Sequence, residues 1–274
     1  MNKTRKALNL FLLNSVLLLG FIVLNSFTNQ DTSKATGFRF KTVVIDAGHG
    51  GKDPGAHGSY SVEKNVTLSI AKKLRRAIND ELSSVNVVMT RTDDTFIELD
   101  RRSEIANNAK GNLFISIHCN SSPEGTADRP NKQKGVMMLV YRIGRVGEQL
   151  EAIRENSSIY IEKDYKKKYQ SYADNDPTNI IITNLYMQKY RKQSILFGGL
   201  LNDGFKNNDG RPSIGVKEQG VLVLAHSAMP AVLIETGFIN NPQEEEYLNS
   251  DDGQNEIVQT ILRAIKKYKK ELSF

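Results

Sequence analysis

KTVVIDAG (41–48) runs directly into HGGKDPGA (49–56), and the architecture of the chain is read from that junction. Val43, Val44 and Ile45 are apolar without alternation and stop at a glycine-rich turn, the pattern of a strand covered on both faces, as inside a parallel sheet. Similar runs recur at VNVVMTR (85–91), LFISIHC (113–119), GVMMLVYR (135–142), GVLVLA (220–225) and AVLIETG (231–237). Between them the apolar residues fall at three- and four-residue steps, as in Val66, Ile70, Leu74, Ala77 and Ile78, and less regularly in Leu99, Ile105 and Ala106. That spacing belongs to helices. Near the end, Asn241, Pro242 and Glu244 supply an N-cap, a proline for the first turn and a capping glutamate, and a last helix is expected through Ile257, Ile261 and Ile265. The alternation predicts an α/β fold: a single domain over 39–274 with a mostly parallel central sheet of about six strands flanked by helices.

Upstream of this domain, Lys3, Arg5 and Lys6 precede an uncharged stretch, 7–30, that contains LFLLNSVLLLGFIVL. A charged n-region before an apolar core reads as a secretory signal. The stretch is also near the roughly 20 residues that span a bilayer, so 1–30 is expected to be a signal peptide or a membrane anchor. The polar residues 31–38 read as a linker. The chain is therefore expected to be exported to the periplasm or cell envelope, with membrane contact only through the N-terminal segment. One cysteine excludes an intrachain disulfide framework. The net charge of +6 falls to +3 without residues 1–30, where 34 basic face 31 acidic residues. The one dense basic cluster, Lys266, Lys267, Lys269 and Lys270, reads as a solvated helix face, so no nucleic-acid partner is expected.

Ligands of open α/β sheets gather beyond the carboxyl ends of the strands. There the first run delivers His49, the third His118 and the sixth Glu235, and two of only four histidines end apolar strands. Two histidines with a carboxylate would suit catalytic zinc, which takes three protein ligands and keeps one open position. Glu63, just before the helix that starts near Asn65, is the favoured third ligand; its alternative is a first-turn glutamate facing the helix dipole. Glu235 follows Ala231 to Ile234, and apolar surroundings raise a carboxyl pKa into the range of a proton shuttle. Asp46 and Asn120 flank these positions, where they would orient ligands, contact substrate or simply serve the turn. Lys52, Asp53, Pro54 and Gly55 read as a tight turn without a chemical role. Cys119 should point away from His118 and be a buried thiol, because side chains alternate along a strand.

Seven segments in order, VVIDAGHGGKDPGA (43–56), Glu63-Lys64-Asn65, TRTDD (90–94), LDRRSEIAN (99–107), LFISIHCNS (113–121), GVMMLVY (135–141) and MPAVLIETGFINNPQEEEYL (229–248), together resemble the zinc-dependent N-acetylmuramoyl-L-alanine amidases of bacterial cell walls. The resemblance implies that His49, Glu63 and His118 hold one Zn2+ and that Glu235 is catalytic. It implies hydrolysis of the amide between N-acetylmuramic acid and L-alanine in peptidoglycan, in cell-wall remodelling and daughter-cell separation. A related zinc peptidase or deacetylase acting on wall fragments and a non-catalytic wall-binding module are the alternatives. Arg91 and Arg102 match recurrent family arginines and are read as ion-pair or helix-surface residues. Where the family often has an arginine before Met229, this chain has Ala225 and His226. An insert at about 144–191 exceeds an ordinary crossover loop. Similar inserts in the family cover the active site until an activator protein displaces them, which makes Glu155 and Glu162 candidates for an autoinhibitory zinc contact.

Overall fold

The computed structural model describes residues 39–122, 132–142, 149–173 and 177–272. The expected signal or anchor and the linker lie outside the described residues, as do stretches 143–148 and 174–176 of the insert. The elements are, in order, β1 (Thr42–Ala47), α1 (Glu63–Glu81), β2 (Asn86–Met89), α2 (Leu99–Asn108), β3 (Leu113–Asn120), β4 (Val136–Tyr141), α3 (Leu150–Asn156), a 3-10 turn (Ser157–Ile161), α4 (Tyr165–Ala173), α5 (Pro177–Asp203), β5 (Ser213–Gln219), α6 (Leu222–Ala225), β6 (Ala231–Phe238), α7 (Pro242–Asn249) and α8 (Asp251–Glu271).

The six strands form one sheet in the order β2-β1-β3-β6-β4-β5. The first four are mutually parallel, whereas β4 and β5 run together against them. β1, β3 and β6 are buried along their whole length, which is why they read as continuous apolar runs. Val43, Ile45, Ile115 and Ile234 pack with Ile70 and Leu74 of α1, Phe197 of α5 and Ile261 and Tyr268 of α8. Val44, Phe114, Leu139 and Leu233 pack on the other face with Leu99 and Ala106 of α2, Ala152 of α3 and Val223 and Leu224 near α6. That second face carries shorter helices, and strand alternation places Asp46, Ser116, His118 and Glu235 on it.

Four expectations about elements are corrected. GVLVLA is a buried helical turn, α6, and the fifth strand is the preceding SIGVKEQ. Short apolar runs do not distinguish a buried helix from a buried strand. β5 carries no continuous apolar run because it is an edge strand whose partly exposed positions admit Lys217 and Glu218. The insert expected at about 144–191 does not end at an element boundary, because one helix, α5, runs unbroken from Pro177 to Asp203. The last helix is two helices: Ser250 breaks the chain and caps α8 by accepting from Gly253 N–H. Asn241 caps α7 as expected, accepting from Gln243 and Glu244 N–H at 3.0 and 3.3 Å, a contact type that stabilises by about 1 kcal/mol. Glu244 does not reach back to the cap. Its carboxylate accepts from Phe238 N–H, Gly135 N–H and Arg211 and so ties α7 to the sheet. Among the described residues no helix is long and apolar enough to cross a membrane.

Candidate metal centre and catalytic carboxylate

Leaving β1, the chain turns at His49, whose φ of 59° is left-handed. The 48–62 loop then returns to place Glu63 at the first position of α1, level with the ends of β1 and β3. His49 Nε2 lies 3.1 Å from Glu63 Oε2 and 3.6 Å from Glu155 Oε2. His118 Nδ1 lies 3.1 Å from Glu63 Oε1 and 2.6 Å from Glu155 Oε2. One ligand atom from each of these four buried residues falls within 4.8 Å of all the others. The site thus joins three elements expected to meet, β1, α1 and β3, with one residue of α3.

Each member is held from behind. His49 Nδ1 is 2.9 Å from Asp53 Oδ2, a contact that in the neutral ring selects the tautomer with its proton on Nδ1 and its Nε2 lone pair available to a cation. Glu63 Oε1 accepts from Cys119 N–H and Oε2 from Ala56 N–H, both at 2.8 Å, so the carboxylate is locked in orientation. Glycine is needed at two points of close approach: a Cβ at Gly48 would stand 2.5 Å from the His118 ring, and one at Gly55 2.6 Å from both Glu63 and His49.

Burial by itself would depress both imidazoliums, but the carboxylates of Glu63 and Glu155 outweigh it: His49 is held well above the usual range and His118 is lifted to about 9. Burial would equally raise Glu63, and His49 outweighs it, holding the carboxyl down at about 2. Two carboxylates are thus balanced by two imidazolium protons, the charge that a divalent cation would replace. His49 Nε2 is buried with no hydrogen-bond partner among the described residues, and Glu155 Oε2, though near His118, meets no N–H in hydrogen-bonding geometry. Compact convergence of nitrogen and oxygen donors, with unpartnered atoms facing inward, fits zinc.

Glu235 sits on β6 directly beside His118 in the sheet register. It is fully buried, its Oε2 has no hydrogen-bond partner among the described residues, and burial pushes its carboxyl up to about 8 against the opposing charge of Arg154. Arg154 was not anticipated, because an arginine on a short helix reads as surface. Its Nη2 reaches Glu235 Oε1 at 2.6 Å and Glu155 Oε1 at 2.8 Å, while Nη1 donates to Ser121 O at 2.9 Å and to Asn120 Oδ1. Adjacent residues of α3 therefore occupy both halves of the site.

Other expectations fare differently. Asp46 meets neither ligands nor open space: its carboxylate is filled by Arg102, Thr90 and Ser116 at 2.8, 2.6 and 2.6 Å. Asn120 borders a groove of about 530 Å³ between Ser122 and Phe238 on one side and Leu150 and Ile153 of α3 on the other. Glu162 does not enter the cluster. Its Oε1 accepts from Leu99 N–H at 2.9 Å, capping α2 from outside, and Tyr169 donates to the same carboxylate. Asp53, read as a turn residue, does form the turn with Gly50 but also orients His49. Its sequence signal, a carboxylate four residues after a histidine, is shared by ordinary turn chemistry. Cys119 is buried and packs on the opposite face from His118, as alternation predicts. His226, after α6, stands outside the cluster and accepts through its carbonyl from Asn107 at 2.8 Å.

An α/β sheet whose strand ends bring together a His-Glu-His pocket and a buried, protonatable glutamate has the parts of a metal-dependent hydrolase. The chain belongs to the N-acetylmuramoyl-L-alanine amidase family, whose sequence pattern matches residues 43–267. It is 35% identical over 228 residues to a protein of Buchnera aphidicola subsp. Baizongia pistaciae named for the same amidase activity, covering 82% of this chain and 95% of that one. It is 31% identical to the N-acetylmuramoyl-L-alanine amidase AmiC of Escherichia coli O6:H1, over 82% of this chain and 52% of AmiC, so it spans about half the length of that relative. Among solved structures it resembles the CwlD amidase of Clostridioides difficile in complex with the GerS lipoprotein, with a TM-score of 0.61 and 25% identity over 84% of this chain and 99% of that one.

Proposed function

We propose that this protein hydrolyses the amide joining the lactyl group of N-acetylmuramic acid to L-alanine in peptidoglycan, with zinc held by His49, Glu63 and His118. The observation that carries the reading is Glu235, buried and protonatable next to the cluster. Zinc, when bound, supplies Lewis acidity that polarises the amide carbonyl and makes water a better nucleophile. Glu235 takes the proton that water gives up on attack and hands it to the departing nitrogen as the C–N bond breaks. Burial, which lifts this carboxyl to about 8, brings its protonated and ionised forms close in free energy, as both transfers require. Asn120 and the groove beside it receive the muropeptide. The sequence of 1–30, three basic residues ahead of an uncharged apolar run, supports export to the cell envelope, where this polymer lies.

We further propose that α3 holds the enzyme in a resting state. Glu155 fills the position that substrate or water needs, and Arg154 neutralises Glu235 and occupies Asn120. Leu150 and Ile153 on the same helix are 78% and 67% exposed, an apolar handle by which an activating protein would withdraw it.

The test is mass spectrometry of purified peptidoglycan digested with zinc-loaded protein and with Glu235→Gln. Intact stem peptides beginning at L-alanine are expected, falling by about 10² to 10⁴-fold in the variant. Cleavage inside the stem peptide, or release of acetate, would replace the reading with a peptidase or a deacetylase. Undiminished cleavage by Glu235→Gln would remove Glu235 from the mechanism.

A further inference from the structure

Arg91 and Arg102 are 3% and 2% exposed, which is rare for arginine, and their bonds converge on one short piece of backbone. Ala47 O accepts from Arg91 Nε at 2.9 Å and from Arg102 Nη1 at 2.8 Å. Gly48 O accepts from Arg91 Nη2 at 2.7 Å and from Thr67 Oγ1 at 2.9 Å. His49 O accepts from Arg102 Nη2 at 2.8 Å. Three consecutive carbonyls at the exit of β1 are thus gathered by two guanidinium forks, at the point where His49 takes a left-handed conformation that non-glycine residues disfavour.

Both forks are anchored elsewhere. Arg102 is held by Asp46 and by Ile97 O at 2.9 Å, and Asp46 is itself fixed by Thr90 and Ser116. Arg91 also donates to Asp93 O at 2.9 Å and to Lys64 O at 2.8 Å, the carbonyl directly after Glu63. The same guanidinium therefore spans the turn that carries His49 and the first turn of α1 that carries Glu63.

We infer that Arg91 and Arg102 are positioning residues of the metal centre, holding the left-handed His49 turn and setting its distance from Glu63. The inference rests on the metal reading above. In a simple core ion pair each guanidinium faces a carboxylate. Here Arg102 has one, Arg91 has none within ion-pair distance among the described residues, and the remaining donors all go to backbone or to Thr67. A lysine would keep the charge but cannot bond several carbonyls in a fixed plane.

The experiment measures zinc affinity of the full chain by competition with a chromophoric chelator, and the visible spectrum of the cobalt-substituted protein. The variants are Arg91→Lys, Arg102→Lys and Thr67→Val, with Ile261→Ala in α8 as a destabilised control remote from the site. Affinity is expected to fall about 10- to 100-fold in the arginine variants, with a changed cobalt spectrum, and a few-fold in Thr67→Val. Ile261→Ala should melt earlier yet bind zinc as the unaltered chain does. Unchanged affinity and spectrum in folded Arg91→Lys and Arg102→Lys, or an equal loss of affinity in Ile261→Ala, would overturn the inference. If the arginine variants do not fold, Thr67→Val decides, and wild-type affinity there overturns it. Failure of the unaltered chain to bind zinc would instead overturn the metal reading itself.

Discussion

His49 depends on which of its two nitrogens carries the proton. Asp53 accepts at Nδ1 and leaves Nε2 to face Glu63 and Glu155. An asparagine there offers an amide donor as readily as an acceptor, and a donor would move the imidazole proton to Nε2, where it blocks a cation. Asp53→Asn is therefore expected to weaken zinc binding by about 10- to 100-fold while the fold survives, as read by chelator competition and circular dichroism. Wild-type affinity in that variant would show that ring packing alone sets the tautomer. Cys119 illustrates the opposite case: one residue after His118, it turns its thiol into the core, and burial pushes that thiol far above the range in which it reacts.

At the scale of elements, α3 is a two-turn helix without a side-chain N-cap, too short to persist alone. It is moored on the turn between β5 and α6: Gln219 Oε1 accepts from Ala152 N–H, Gln149 accepts from Gly220 N–H, and Asn156 both donates to Gly220 O and accepts from Leu222 N–H. These bonds leave Glu155 facing His118 and Arg154 facing Glu235. A double variant, Arg154→Ala with Glu155→Ala, removes both blocking contacts and leaves the mooring intact. Its basal rate on peptidoglycan is expected to rise at least about tenfold, with Glu155→Ala alone giving less because Arg154 still holds Glu235. A folded, zinc-loaded double variant no faster than the unaltered chain would end the resting-state proposal.

For the molecule as a whole, the candidate metal site joins residues at the ends of β1 and β3 with residues of α1 and α3, so a cation bound there would stabilise contacts between distant parts of the chain. A ligand that binds only the native state at about 1,000 times its dissociation constant adds about 4 kcal/mol. For a domain of this size, each kcal/mol moves the melting temperature by about 2–4 °C, so zinc should raise it by roughly 8–16 °C and a chelator should reverse the change. Differential scanning calorimetry with and without zinc measures this, and no shift at saturating zinc would count against a native-state site.

Period and strand-end position in the sequence determined much of this protein. Buried strands need apolar side chains on both faces, so β1, β3 and β6 were legible, and a histidine or glutamate interrupting such a run stood out as His118 and Glu235 did. Local helix chemistry also survived, in the capping by Asn241 and the stripe along α1. Contacts whose residue types have a commoner, blander use were not legible: β5 as an edge strand, Asp53 as the partner of His49, Arg91 and Arg102 as clamps on carbonyls, and Arg154 against Glu235. Their roles are set by distance across the sheet rather than by spacing along the chain. Only the tertiary structure could choose Glu155 over Glu162, since both lie in the same insert with the same carboxylate, and the packing of α3 and α2 decides which reaches the histidines and which caps a helix.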